Sequence, residues 1–367
     1  MKRTVSLFIL CFAFLFSACE IAENDTGNLD PTDDNPEVEK MEIAGVYEMS
    51  YGPHALAVVG NYVYAARDNQ IFVVNISDPA NPTLENTITD LEANNAFKAL
   101  HISGNILFAG CTESSSIYML DVSNPADASI IGTFNDAVYE QVKLKPMAFF
   151  YKNGTLWASG SNGQAGMLVQ FSENSADLTP QSYFLLSGTG NAAEGVWANS
   201  ENVFISTADG NVYAFDSGDI AAGILSEYTF SNEAGHEHWG RTLLGNENHL
   251  YWADWGAGFI TLDISNPADL KSAALLTHSS FISQHPNAEG TNVYDLLLHN
   301  ETGNIYLANG WSGLVEIDPA SPADVLAFVD YKDNNYYCIE QYKNYVLLGD
   351  IAAGTTDVAG IKIIRVK

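Results

Sequence analysis

The sequence predicts an all-β chain folded as a seven-bladed β-propeller, its ring closed by an N-terminal strand at 41–48 that completes the last blade. Three observations lead there. First, a phrase built from an apolar strand, an acidic or amide residue and a proline-marked break recurs: FVVNISDPANP at 72–82, YMLDVSNPAD at 118–127, ITLDISNPAD at 260–269 and VEIDPASPAD at 315–324. Second, those strands end at Asn75, Asp121, Gln170, Asp216, Asp263, Asp318 and Arg365, with successive spacings of 46, 49, 46, 47, 55 and 47 residues. So long a period, held so evenly, marks repeated structural units. Third, helix signals are poor: no long segment combines helical spacing of apolar residues with capped ends.

The first unit sets the template. ALAVVG (55–60) and YVYAAR (62–67) read as strands joined by a Gly-Asn turn, followed by a third strand, IFVVNIS (71–77), and a fourth, PTLENTITD (82–90). Second strands matching YVYAAR follow in each later unit: ILFAG (106–110), LWASG (156–160), VFIST (203–207), LYWAD (250–254), IYLAN (305–309) and YVLLG (345–349). A lone four-stranded blade leaves its faces and edges open, so closure against two neighbours is what stabilises it. The seventh unit stops at IKIIRVK, after its third strand, whereas a fourth-strand text stands alone in MEIAGVYEMS at 41–50. Those two ends are complementary. The residue closing each third strand is read as structural, its Asp or Asn side chain accepting backbone N–H groups at the turn. Single carboxylates spread around a ring do not converge on one calcium ion.

Five segments, FVVNISDPANP, YMLDVSNPAD, VYAFDSGD, ITLDISNPAD and LVEIDPASP, resemble the LVIVD repeat. The third unit, MLVQFSENSAD, departs most, with Gln170 in the anchor position. The resemblance implies a propeller on a secreted or surface bacterial protein and implies no particular chemistry.

The first 18 residues read as a signal peptide: Lys2 and Arg3, an apolar stretch from Val5 to Phe16, then small residues. FSAC (16–19) resembles a bacterial lipobox with Cys19 as the lipidated residue, departing from it at Phe16. Ordinary cleavage at the small residues is the alternative. Residues 19–40 carry eight carboxylates, one lysine and two prolines, a composition that cannot bury enough apolar surface to fold and reads as a disordered tether. The expected organisation is thus signal peptide 1–18, acidic tether 19–40 and one propeller domain 41–367, lipid-anchored at the outer membrane or cell surface. Of the four cysteines, Cys11 leaves with the signal and Cys19 carries lipid, while Cys111 and Cys338 fall in non-neighbouring units and are expected as buried free thiols. The formal charge of −30 repels nucleic acid and anionic lipid and leaves the lipid anchor as the expected membrane contact. A monomer is expected.

Function belongs in what the repeats do not share. The position before each first strand reads around the ring as His54, Lys98, Met147, Glu194, near Trp239, near Tyr294, and Tyr337, with insertions blurring units five and six. Arg67, Asp68, Arg241, Trp255 and Trp311 join them from adjoining loop text. Exposed aromatics beside a few charges suit stacking on a sugar or gripping a peptide. The first reading is a non-catalytic binding or scaffold module for a glycan, peptide or envelope partner. The alternative is a metal-assisted hydrolase or lyase, holding a divalent metal on His236, His238 and His285 with a carboxylate such as Glu194. Glu194 and Glu289, each in a Glu-Gly step, form a weaker paired-carboxylate candidate. The phosphate-cradling glycine loop, the nucleophile elbow and the calcium loop are absent from the sequence.

Overall fold

Alternation of side chains along each second strand sends every other residue to the blade on either side, and this makes the ring. In Tyr62–Arg67, Tyr64 and Ala66 pack with residues of the second blade, including Phe97, Leu107 and Ala109, while Val63 and Ala65 pack with Leu347, Ile361 and Ile363 of the seventh. Such strands are buried on both faces, so they read as continuous apolar runs. The computed structural model describes residues 41–89, 97–174, 177–186, 192–231, 237–286, 288, 290–329, 334–351 and 358–366. Residues 1–40, expected above to be signal peptide and tether and including Cys19, lie outside the described residues.

The strands form seven antiparallel four-stranded sheets. Six run in simple chain order; the seventh is Tyr336–Tyr342, Tyr345–Asp350, Gly360–Val366 and, outermost, Met41–Glu48. Met41 pairs with Val366 and Glu48 with Gly360, so the chain's leading strand does complete the last blade. Seven apolar seams lie between blades, each built from two neighbours, and the last joins Leu56, Val74 and Ile76 of the first blade to Cys338, Tyr342 and Ile363 of the seventh. The hairpin between the first and second strands needs a left-handed residue, and Gly60 and Gly104 supply it at φ 58°.

The repeated anchors cap the turn after the third strand. Asn75, Asp121, Asp216, Asp263 and Asp318 each accept the backbone N–H two residues on through Oδ1, at 2.8–3.0 Å. Gln170, with its longer side chain, instead donates to the Ser217 carbonyl of the next blade. The 55-residue spacing of the sixth unit is taken up by a helix, His278–Gln284, with a capping box between Thr277 and Ser280. Cys111 and Cys338 are buried free thiols in the second and seventh blades.

If the seams carry stability, Phe108→Ala, which empties a fully buried ring from the seam between blades two and three, costs about 3–5 kcal/mol. Denaturant unfolding is then expected to keep one shared transition at a lower midpoint; a midpoint unchanged from wild type contradicts this.

Candidate functional site

The innermost strands are Ala55–Val59, Phe97–Ser103, Lys145–Lys152, Ala193–Ala198, Gly240–Gly245, Asp295–Leu298 and Tyr336–Tyr342. Each contacts the innermost strand of both neighbouring blades, so together they line the central channel. Their first residues pair with the last residues of the second strands, as Phe97 does with Cys111 and Gly240 with Asp254. The loops leaving the second strands therefore stand at the same channel mouth.

At that mouth each inner strand carries one residue more than its partner. Register slips between Phe97 and Ala99, Pro146 and Ala148, Ala193 and Gly195, Gly240 and Leu243, and Tyr336 and Cys338. In blades one and six, His54 donates its N–H to the Ala66 carbonyl that faces Ala55, and Tyr294 to the Ala308 carbonyl that faces Asp295. A bulge frees a side chain from strand alternation and re-aims it. The freed residues are His54, Lys98, Met147, Glu194, Arg241, Tyr294 and Tyr337. Each is at least partly accessible, while the residue before it is buried. The sequence register thus holds in six blades; in the fifth the position belongs to Arg241, two residues beyond Trp239.

These side chains meet across the ring. Lys98 of blade two senses the charges of Arg241 of blade five and Glu194 of blade four, and His54 of blade one senses Arg241. Blades two and five are not neighbours, so only the channel mouth brings them within reach. The Arg241 guanidinium lies 5.4 Å from the ring centroids of both Trp239 and Tyr294, and its Nη1 sits 3.6 Å from the Glu194 carboxylate. The Ser206 hydroxyl of blade four fixes the Arg241 carbonyl. Burial raises the Glu194 carboxyl pKa against the pull of Arg241, a hydrogen bond from Trp239, and Lys98. Tyr294 stacks on Tyr337 at 4.0 Å between centroids. Beside them stands Trp255, and Trp239 and Trp311 are 46% and 38% exposed.

On the first blade, Arg67 donates to the Gly52 carbonyl at 3.1 Å and to His54 Nε2 at 3.0 Å, lies over Tyr51 at 5.1 Å, and pairs with Asp68 at 3.4 Å. Burial first, then Lys98 and Arg67, push the His54 pKa down to about 4. At neutral pH the imidazole is therefore an uncharged acceptor for Arg67.

The two described histidines proposed for metal, His238 and His285, have separate partners. His238 Nδ1 lies 3.3 Å from the buried Asp254 carboxylate, whose other oxygen accepts the N–H groups of Gly256 and Ala257. His285 packs on Phe281 and Phe328 at the end of the helix. His236 and Glu289 lie outside the described residues, and among the described residues no three His, Cys, Asp or Glu side chains group as metal ligands.

Just inside the mouth lies a carboxyl pair that sequence reading missed. Asp295 of blade six accepts the N–H groups of Leu296 at 2.9 Å and Ile339 of blade seven at 3.1 Å. Glu340, next along that strand, accepts the Gln341 N–H at 3.2 Å. Burial pushes Asp295 up to about 6, against Thr242, the two N–H groups and Arg241; burial and the Asp295 charge push Glu340 up to about 8. Both folded values exceed those of the unfolded chain. Their stabilisation is therefore complete below about pH 4 and is lost as pH rises through 6 and then 8. The melting temperature is expected to fall between pH 5 and pH 8.5 (about the span of the two titrations), and Glu340→Gln to flatten that fall. An equal slope in the variant contradicts the pairing.

Comparison with known proteins agrees with this architecture. The LVIVD repeat matches residues 54–90 and 245–273, in the first blade and across the fifth. No curated protein matches the chain. Among solved structures, the chain is similar to the computationally designed Ika8 protein, at 14% identity and a TM-score of 0.57 over 88% of this chain and 98% of that one. It is also similar to Raptor from Chaetomium thermophilum, at 12% identity and a TM-score of 0.61 over 89% of this chain and 29% of Raptor. The β-propeller domain of Cps50 (Swd1) from Myceliophteria thermophila is similar at 9% identity and a TM-score of 0.64, over 89% of this chain and 100% of that domain. At these identities the likeness speaks to the fold. The chain is a seven-bladed β-propeller carrying LVIVD repeats.

Proposed function

We propose that this propeller is a non-catalytic binding module that captures a glycan at its channel mouth, displayed at the outer membrane or cell surface on a lipid tether at Cys19. The observation that carries the reading is the arc of rings over blades five to seven, Trp239, Trp255, Tyr294, Trp311 and Tyr337, set beside Arg241 and Glu194. Of the exposed large apolar residues, Tyr51, Trp239, Trp311 and Tyr139 in the mouth-side loops are aromatic and Val358, before the third strand of blade seven, is aliphatic, whereas Ile43, Leu84, Ile131, Ile224 and Leu225 sit on outermost strands. Flat rings interleaved with hydrogen-bonding groups suit the C–H faces and hydroxyls of a sugar. A peptide ligand asks for aliphatic pockets as well, and of the seven bulge residues only Met147 is aliphatic.

The anchoring rests on the FSAC text and the acidic stretch after it. Expressed in a Gram-negative host, the wild-type chain is expected in the membrane fraction and Cys19→Ala in the soluble fraction; membrane retention of the variant counts against a lipid anchor. For the mouth, a glycan array identifies the ligand and titration calorimetry measures it. Trp239→Ala and Trp311→Ala are each expected to weaken binding by about tenfold or more, as central aromatic contacts do. Unchanged affinity in both removes the mouth as the site, and capture of peptides alone replaces the glycan.

A further inference from the structure

Cations are scarce in this chain, with 15 Lys and Arg against 45 Asp and Glu, yet three of them meet at one place. Arg67 from blade one and Arg241 from blade five stand at the channel mouth, each within electrostatic reach of Lys98 from blade two and of His54. Two of the three have partners: Arg241 has Glu194 and Arg67 has Asp68. Lys98 does not. It is the exposed bulge residue between buried Phe97 and Ala99, and among the described residues no carboxylate lies within ion-pair distance of its ammonium. Desolvation first, then Arg241 and Arg67, lower its pKa against the opposing pull of Glu194 and Glu113. Three cations set against the nearby Glu194 and Asp68 carboxylates leave Lys98 incompletely balanced, and folding keeps them together through the bulges of separate blades. An anion held among Lys98, Arg67 and Arg241 relieves that imbalance and gains charge-assisted hydrogen bonds.

We propose that the glycan taken at the mouth is a carboxylated saccharide, its carboxylate seated at Lys98 between the Arg67 and Arg241 sides and its sugar faces on the rings of blades five to seven. The inference rests on the binding role proposed above and names the chemistry of the ligand. An aromatic arc beside a cationic arc matches a sugar with a stacking face and one negative edge. The protein's acidic surroundings add selectivity: they repel polyanions generally, so an anionic ligand is admitted where the three cations face it.

The test uses acidic oligosaccharides (oligogalacturonate, oligomannuronate and sialyllactose) and their methyl esters, which keep the sugar and remove the charge. Titration calorimetry on the mature protein is expected to show at least one acid binding about tenfold tighter than its own ester, the scale of one charge-assisted contact. Lys98→Gln, at an exposed position where folding is preserved, is expected to cost the acid about tenfold and the ester clearly less, so that the acid's advantage closes. Raising the salt concentration weakens the acid alone. Equal binding of every acid and its ester, or equal loss of both in Lys98→Gln, overturns the inference. If neutral glycans still bind and still depend on Trp239 and Trp311, only the carboxylate assignment falls. If no glycan binding depends on either tryptophan, the mouth itself is lost.

Discussion

Apolar packing between neighbouring blades, carried round until the first blade meets the seventh, is the constraint from which the rest follows. No blade owns a complete core: each seam takes side chains from two neighbouring sheets. Removing apolar surface from water therefore requires the ring, since an open arc leaves two sheet faces wet. The strand at Met41–Glu48 answers the same need. Its pairing with Gly360–Val366 covers the last blade's edge, and Met41 enters the seam between blades six and seven. A buried Lys362–Asp350 pair at 2.9 Å, with Asn334 also bonded to the lysine, pins that final blade near the mouth.

Closure has a second consequence. It brings seven equivalent strand starts to one small circle, where the repeats no longer need to agree. The bulge there turns one side chain per blade out of the seam, so the ring can vary at that position without disturbing its packing. This explains how arginine, lysine, glutamate and tyrosine share a register otherwise occupied by the core. Inside the mouth the same geometry sets Asp295 and Glu340 on neighbouring inner strands within electrostatic reach, and part of the ring's stability becomes dependent on their protons.

The period and the blade composition were legible because they rest on text repeated around the ring, five of the seven units ending in an Asp or Asn whose turn-capping job is local. The latch was legible as the missing fourth strand of the last unit. The channel positions were legible by counting from those anchors. The count slipped at blade five, where extra residues precede Gly240 and moved the reading from Arg241 to Trp239. In GHEHWGR, residue type and spacing make His236 and His238 metal-ligand candidates, and the structure adds a His238–Asp254 contact that no spacing reveals. Asp295 and Glu340 lie on different blades, so no motif joins them. A signal was nevertheless present. The residue after the bulge reads Ala55, Ala99, Ala148, Gly195, Thr242, Asp295 and Cys338 around the ring, and the single carboxylate among small side chains stands out.

Ring closure by the leading strand is tested most directly by thermal unfolding of the chain lacking residues 41–48, beside the intact propeller and beside the truncated chain with that octapeptide added back. The account predicts a markedly lower melting temperature on truncation, exposure of apolar surface along the first–seventh seam, and recovery when the peptide is supplied. Identical unfolding of the truncated and intact chains would contradict it.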